Sequence, residues 1–186
     1  MWAVGNTVWT RTFTLTDNQE TAANVTADVA GAQDAAGNDQ QTYTPQPEFS
    51  IDTANPSVST VVADTSPVYD GDLTQQITVT FNEAMRITAA PAIEFGAGAW
   101  TAGAAGDWSA GNTVWKRTYT VTDANQTVAD VTVDVTGAQD EAGNGQQMYA
   151  AQSEFDTDTR NPLATVTTDH TLIVDGSPIY EGSRVL

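Results

Sequence analysis

The stretch GNTVWKRTYTVTDANQTVADVTVDVT, residues 111–136, contains two runs in which apolar and polar residues alternate. Trp115, Tyr119 and Val121 mark the first run, and valines at every second position from 131 to 135 mark the other. A period of two, carried by aromatic and β-branched residues, is typical of half-buried strands. The Asp-Ala-Asn turn between the runs predicts that the chain reverses there, so the stretch indicates two strands of an antiparallel sheet.

The middle of the chain shows the same alternation several times, separated by Asp-Gly, Asn-Glu and Gly-Asn turns. Short strands with turns about every eight to twelve residues predict an all-β fold, an immunoglobulin-like antiparallel β-sandwich. The stretch 97–111 is rich in Gly and Ala, and no strand is predicted there. In immunoglobulin notation the predicted strands are A (57–63), B (75–82), C (91–96), E (113–122), F (130–136) and G (148–156).

A close copy of the quoted stretch, GNTVWTRTFTLTDNQETAANVTADVA, begins at residue 5, an offset of 106 positions (111 − 5). The register continues through GAQDAAGNDQQ and GAQDEAGNGQQ, and then through EFSIDTANP and EFDTDTRNP. Self-similarity at a fixed period predicts tandem repeats. We expect residues 1–55 to be the C-terminal half of one repeat plus a linker, 56–160 a complete repeat, and 161–186 the start of a further one.

The composition narrows the classes of partner. The chain has 24 Asp and Glu against 6 Lys and Arg, a net charge of −18, which argues against nucleic acid and anionic membranes. It has no cysteine, so disulfides and thiolate metal sites are excluded and a bound metal must be held by oxygen. No apolar run approaches the roughly 20 residues of a membrane-spanning helix. We therefore expect no nucleic-acid partner and no membrane insertion, and Ca²⁺ as the natural counter-ion.

The sequence gives little support for catalysis, and we predict that the protein is not an enzyme. His170 is the only histidine, which leaves no imidazole for the 1–160 region. No glycine-rich phosphate loop follows a strand and opens a helix. Glu83 and Asp140 could form a glycosidase pair, but nothing in the sequence indicates a large substrate cleft.

Acidic residues cluster where the predicted fold brings a linker to two loops. In this topology the B–C and F–G loops share one pole, so Glu83 should face Asp140 and Asn144, and the linker should deliver Asp52 and Asn55 beside them. Ca²⁺ takes six to eight oxygen ligands in flexible geometry. The sequence therefore predicts a calcium site at this first joint, the contact of residues 52–56 with the two loops.

A second joint is predicted at the opposite pole by the same logic, from turns carrying Asp70 and Asp72, the E–F turn with Asp123, and the outgoing linker with Asp158. Carboxylates crowded together repel one another until a cation binds, so binding would stiffen a joint. The alternative for both joints is turn chemistry, because Asp caps backbone N–H groups without any metal.

The tryptophans divide into two groups. Trp9 and Trp115 occupy equivalent strand positions and are predicted to be core residues rather than sugar platforms. Trp2, Trp100 and Trp108 lie near glycines and remain candidates for a sugar-binding surface.

The chain resembles bacterial immunoglobulin-like repeats of giant surface adhesins, including the extender regions of calcium-dependent adhesins exported by type I secretion. The resemblance is carried by ITVTFNEAM (77–85), DVTGAQDEAGN (134–144), FSIDTANP (49–56) and FDTDTRNP (155–162), and it covers nearly the whole chain. Two positions depart from an even repeat, since Arg160 stands where the other linker has Ala54, and Glu141 where the other loop has Ala35.

The resemblance implies an extracellular, cell-surface spacer whose joints are stiffened by Ca²⁺ and whose partners are neighbouring repeats. It also implies metal ligands, namely Asp52, Glu83, Asp140, Asn144 and Asp158. Two alternatives stay open. One is a self-assembling filament in which partial repeats are completed by strand addition between chains. The other is a glycan-binding module.

Overall fold

The computed structural model describes residues 1–3 and 5–167, and every regular element in those ranges is a β-strand. The all-β class is confirmed. No helix long and apolar enough to cross a membrane occurs in these ranges. The strands are β1 (Trp2–Ala3), β2 (Val8–Trp9), β3 (Thr21–Thr26), β4 (Pro47–Asp52), β5 (Val58–Ala63), β6 (Val68–Tyr69), β7 (Thr74–Phe81), β8 (Ala92–Phe95), β9 (Trp100–Ala102), β10 (Asp107–Ser109), β11 (Val114–Val121), β12 (Thr127–Thr136) and β13 (Gln152–Asp158).

Strands β5–β13 form two sheets. The first has the order β10–β11–β7–β5, with β9 also paired to β11. The second has the order β6–β13–β12–β8. All pairs are antiparallel except β6 with β13, which is parallel.

The two sheets share one hydrophobic core, in a β-sandwich-like arrangement. The alternation of apolar and polar residues along the strands produces this core. Every second residue of β7 from 75 to 81 is buried, and the residues between them are only partly buried. In β11, Trp115 lies directly beside Val79 of β7 and is fully buried. The buried apolar residues come from both sheets and from two loops: Val61, Val68, Ile77, Val79, Phe81, Met85, Trp115, Tyr119, Val121, Val131, Val133, Val135, Ala138 and Phe155.

The six predicted strands all appear, with shifts at their ends. The largest shift is in the last strand, predicted at 148–156 and found at Gln152–Asp158. Met148 is almost fully exposed, whereas Thr157 is buried and pairs with Val68. The strand predicted at 130–136 begins earlier, at Thr127. A β-bulge shifts the register between Val128 and Val131, and the pairing with β13 continues on both sides of the bulge.

The Gly/Ala-rich stretch 97–111, for which no strand was predicted, contains β9 and β10. Its small residues have a packing reason: a Cβ at Gly106 would collide with the indole ring of Trp115. Trp100 stacks on Phe95 with ring centroids 4.4 Å apart and donates its indole N–H to Ala97 O at 2.8 Å. Glycine at position 106 therefore lets the backbone approach the indole of Trp115 where a side chain would prevent it.

Residues 1–52 form two separate hairpins, β1–β2 and β3–β4. The β3–β4 pair repeats the β12–β13 pair at the offset of 106: Thr21 faces Asp52 as Thr127 faces Asp158. Both pairs carry the same register shifts.

The prediction that Trp9 is a core residue is wrong, although Trp115 is buried as predicted. Trp9 is 48% exposed and Trp115 0%. Trp115 is covered because β7 pairs with β11, and the described part of the chain has no strand that plays this role beside residues 8–15. Predictions for His170 and for a further repeat after residue 167 lie outside the described residues.

Candidate metal centre at the first joint

The linker at the first joint is hydrogen-bonded on both of its sides. Toward the N-terminal hairpins, Thr53 N donates to Glu20 O at 2.9 Å and Asn55 N donates to the side chain of Gln19 at 3.1 Å. Toward the sandwich, the side chain of Gln147 donates to Asn55 O at 3.0 Å. The linker is therefore a bonded connection with a defined position.

The two loops that meet the linker also contact each other. Met85, after β7, forms an isolated antiparallel bridge with Asp140, after β12. Arg86 N donates to Gln139 O at 2.8 Å, and the Arg86 guanidinium donates to Glu141 O at 3.1 Å. These bonds hold the two loops of one pole together, as the topology predicted.

Asp140 organises its own loop. Its Oδ1 accepts hydrogen bonds from Gly143 N at 2.6 Å and Asn144 N at 2.8 Å, and its Oδ2 accepts one from the Asn144 side chain at 2.7 Å. Gly143 has a φ of 99°, a left-handed conformation that favours glycine. The carboxylate is only 1% exposed, and Oδ2 carries one hydrogen bond from the protein.

The equivalent loop of the first copy folds in the same way, and within the described residues Asp34 belongs to no group of three carboxylates. Asp34 Oδ1 accepts from Asn38 N at 2.9 Å, and its Oδ2 accepts from the Asn38 side chain at 2.8 Å. These bonds to Asn38 hold the pKa of Asp34 below its usual value. Turn chemistry therefore explains the shape of the loop in both copies.

Three carboxylates converge at the first joint. Asp52 ends β4, Glu83 follows β7, and Asp140 lies in the loop after β12; one oxygen from each lies within 4.8 Å of the others. Oxygens bound to one Ca²⁺ at about 2.4 Å lie at most about 4.8 Å apart. The three side chains thus fit a single hard cation, with further oxygens left to solvent or to bidentate binding.

Partial burial and the neighbouring carboxylates change the pKa of Glu83. Its pKa is raised, first by burial and then by the negative charges of Asp140 and Asp52, while a weak hydrogen bond from Asn82 acts in the opposite direction. The named charges acting on Glu83 are both negative, so ionising it costs free energy in the absence of a cation. A bound divalent ion would reverse that sign.

Asn144 is present in the site, but as a link between linker and loop. Its amide nitrogen donates to Asp52 O at 3.2 Å and to Asp140 Oδ2 at 2.7 Å. A nitrogen that donates two hydrogen bonds cannot bind a cation, so only the amide oxygen remains for the predicted ligand role.

At the predicted second joint Asp72 and Asp123 accept hydrogen bonds within local turns, and Asp158 accepts one across the β12–β13 pair. Asp72 Oδ1 accepts from Thr74 N at 3.0 Å, Asp123 Oδ1 from Asn125 N at 2.8 Å, and Asp158 Oδ1 from the Thr127 hydroxyl at 2.8 Å. Asp70 is exposed in the turn before Gly71. Within residues 1–3 and 5–167 the structure brings none of these four into a group of three carboxylates.

Two glutamines are part of the joint although no role was predicted for them. Gln146 spans its loop, donating to Val135 O at 2.8 Å and accepting from Ala138 N at 3.1 Å. Gln147 binds the linker through its side chain and through its backbone N, which donates to Pro56 O at 2.7 Å. Their signal was the Gln-Gln pair that ends both copies of the loop.

Of the three tryptophans that are candidates for a sugar-binding surface, Trp2 is half exposed, whereas Trp100 and Trp108 pack against the core. No protein-family model, curated protein or solved structure matches this chain.

Proposed function

We propose that the chain is a non-enzymatic structural segment, a set of immunoglobulin-like repeats from the extracellular stalk of a bacterial surface adhesin, stiffened by Ca²⁺ at its joints. The observation that carries the proposal is the convergence of Asp52, Glu83 and Asp140. One carboxylate comes from the linker and two come from loops of the following sandwich. A ligand set divided in this way connects two structural units through one ion.

Strand order supports the immunoglobulin-like part of the proposal. An immunoglobulin constant-type sandwich places strands A, B, E and D in one sheet and C, F and G in the other. Here β5, β7 and β11 take the A, B and E positions, and β8, β12 and β13 take the C, F and G positions. The internal repeat and the matching β3–β4 and β12–β13 pairs support a tandem array.

The chemistry at the joint supports calcium as the ion. Three carboxylates supply only hard oxygen ligands and three negative charges, which suit Ca²⁺ and exclude a thiolate or imidazole site. Without an ion the carboxylates repel one another, and the linker is held against the loops by hydrogen bonds from Asn144 and Gln147 and by those between Ser57 and Asn82. An ion shared by all three carboxylates would make the joint resist bending.

Calorimetric titration of the full chain with CaCl₂, after removal of metal by chelator, tests the proposal. We expect one site at the first joint that is lost in Asp52→Asn and in Glu83→Gln. Glu141→Gln is the matched control, because it removes the same charge one residue from Asp140 and lies outside the triad. If CaCl₂ gives no heat and no stabilisation beyond a MgCl₂ control, the acidic loop is a turn and the calcium proposal fails.

Stiffening is a separate claim and needs its own measurement. Hydrogen exchange of a peptide covering the linker 52–56 should slow on calcium binding, because a joint fixed by an ion opens less often. A peptide within β7 serves as the internal control, since its exchange follows opening of the whole sandwich. Equal exchange of the linker with and without bound calcium would separate binding from stiffening.

Two other functions have specific tests. A filament that completes its partial repeats between chains is favoured by the apolar residues exposed in residues 8–49, and light scattering would then rise with protein concentration. A glycan-binding module has less support, because Trp2 alone of the three candidate tryptophans is half exposed. Sugar-dependent quenching of tryptophan fluorescence would reveal it.

A further inference from the structure

A set of large apolar side chains in residues 1–52 is exposed on the two N-terminal hairpins and the segments between them. We call this set the N-terminal face; its members are Val8, Trp9, Phe13, Leu15, Val29 and Phe49. Exposed apolar patches of this kind usually mark an interaction surface. The internal repeat identifies what the surface lacks.

Five of the six members, all except Val8, have a counterpart 106 positions later that lies in the core of the sandwich, while the counterpart of Val8, Val114, is partly buried. Phe13 is 75% exposed where Tyr119 is 5%, and Phe49 is 54% exposed where Phe155 is 4%. The difference arises from coverage by other strands, since the local sequences and the β3–β4 and β12–β13 registers are alike.

The strands that cover the counterparts come from residues 56–106. Val79 of β7 pairs with Trp115, and the ring of Phe81 lies 5.8 Å from that of Trp108. From the other sheet, Phe95 of β8 packs edge-on against Tyr119 at 5.0 Å. Residues 56–106 therefore supply the strands that cover the part of the sandwich equivalent to the N-terminal hairpins.

A cavity lies beside the two tryptophans of the first hairpin, where apolar side chains of such a strand could pack. It has a volume of about 340 Å³ and is lined by Trp2, Trp9 and the segment 28–32. Trp2 and Trp9 are cross-strand partners, as Trp108 and Trp115 are in the sandwich. In the sandwich, Trp115 pairs with Val79 and the ring of Trp108 lies near that of Phe81.

The backbone beside the N-terminal face is also incomplete. Residues 74–80 of β7 pair with residues 114–120 of β11, whereas residues 11–16 belong to no strand in the described part of the chain. An extended segment with alternating residues and unpaired backbone groups is suited to strand addition. A sugar would cover the rings and leave this edge unpaired.

We propose that the N-terminal face binds a polypeptide segment with the strand pattern of residues 56–106, closing a second sandwich like that formed by residues 56–160. The segment's recognisable chemistry is an alternating strand with large apolar residues at the positions of Ile77, Val79 and Phe81. The proposal does not rest on calcium binding, and it is tested in the presence of chelator.

The test extends the full chain at its N-terminus with a second copy of residues 56–106. Residue 1 is equivalent to residue 107, so the added copy joins in the register of the sandwich. We expect the extension to abolish most binding of the dye ANS, to shift tryptophan emission to the blue, and to add a second cooperative unfolding transition. A matched extension carrying Ile77→Asp and Val79→Asp in the added copy should produce none of these changes.

A second variant guards against misfolding of the extension. Phe13→Ser with Leu15→Ser in the unextended chain should lower ANS binding and leave the unfolding transition of the 56–160 sandwich unchanged, because these side chains are exposed. The same pair in the extended chain should remove the second transition.

Three results would overturn the proposal. In the first, the extension leaves ANS binding and tryptophan emission unchanged. In the second, both extensions behave alike, which would mean that strand pattern is irrelevant. In the third, the unextended chain dimerises in sedimentation experiments and buries Trp9 as concentration rises, which would make a second copy the occupant.

Discussion

Replacing Glu83 by Gln should have opposite effects with and without calcium. The substitution keeps the side chain nearly the same size and removes one of three negative charges that approach within 4.8 Å of one another. In chelator the variant should be more stable than the wild type, because repulsion with Asp52 and Asp140 is removed. In excess calcium it should lose most of the stabilisation that the ion gives.

The magnitude follows from the separation. Two unit charges at 4.8 Å repel by about 1 kcal/mol in bulk water and by about 3 kcal/mol at an effective dielectric of 20. Glu83 is partly exposed, so the lower part of this range applies to each of its two pairs. We expect Glu83→Gln to raise the free energy of unfolding in chelator by about 1–3 kcal/mol.

Urea denaturation at neutral pH measures this, followed by intrinsic fluorescence in chelator and in millimolar CaCl₂. Glu141→Gln controls for net charge, and its effect should be small in both conditions because Glu141 is exposed and lies outside the triad. The reasoning would be refuted if Glu83→Gln destabilised the chelated protein, or if calcium stabilised the variant as much as the wild type.

Four further results are expected. In chelator, lowering the pH toward the ordinary glutamate range should stabilise the fold through Glu83. The pKa of Glu83 is higher in the folded than in the unfolded protein, so folding takes up a proton. Glu83→Gln should reduce this dependence of the free energy of unfolding on pH, measured by urea titrations. Asn144→Ala should lower the free energy of unfolding by about 1–3 kcal/mol, since it leaves buried Asp140 without one donor, whereas Asn38→Ala should leave the transition of the 56–160 sandwich unchanged; equal effects would contradict this. Gln75→Leu should stabilise by about 1–3 kcal/mol, because the Gln75 amide is fully buried with no hydrogen-bond partner; destabilisation in urea would show that the amide is satisfied by solvent. Trp115→Ala should cost about 3–5 kcal/mol while Trp9→Ala costs far less, and comparable losses would mean that Trp9 is also packed.

Much of the sandwich follows from local pattern. Alternation of apolar and polar residues depends only on neighbouring positions, and it located β7 and β11 to within a residue at each end. Where packing rather than pattern sets the structure, prediction failed. The strands β9 and β10 form in a Gly/Ala-rich stretch in which Gly106 lets the chain lie close to Trp115, and no local pattern encodes that contact. The prediction that Trp9 is buried is wrong for the converse reason, because burial at that position depends on strands distant in sequence.

The candidate site shows the same division within a single loop. Asp34 and Asp140 accept the same pair of hydrogen bonds from equivalent asparagines, Asn38 and Asn144, so the turn is a local property that both copies carry. Only Asp140 has Asp52 and Glu83 beside it, and this placement depends on the linker and on the loop after β7. Turn chemistry and metal binding are therefore compatible uses of one carboxylate. The turn engages Oδ1 twice and Oδ2 once, which leaves Oδ2 with capacity for a cation.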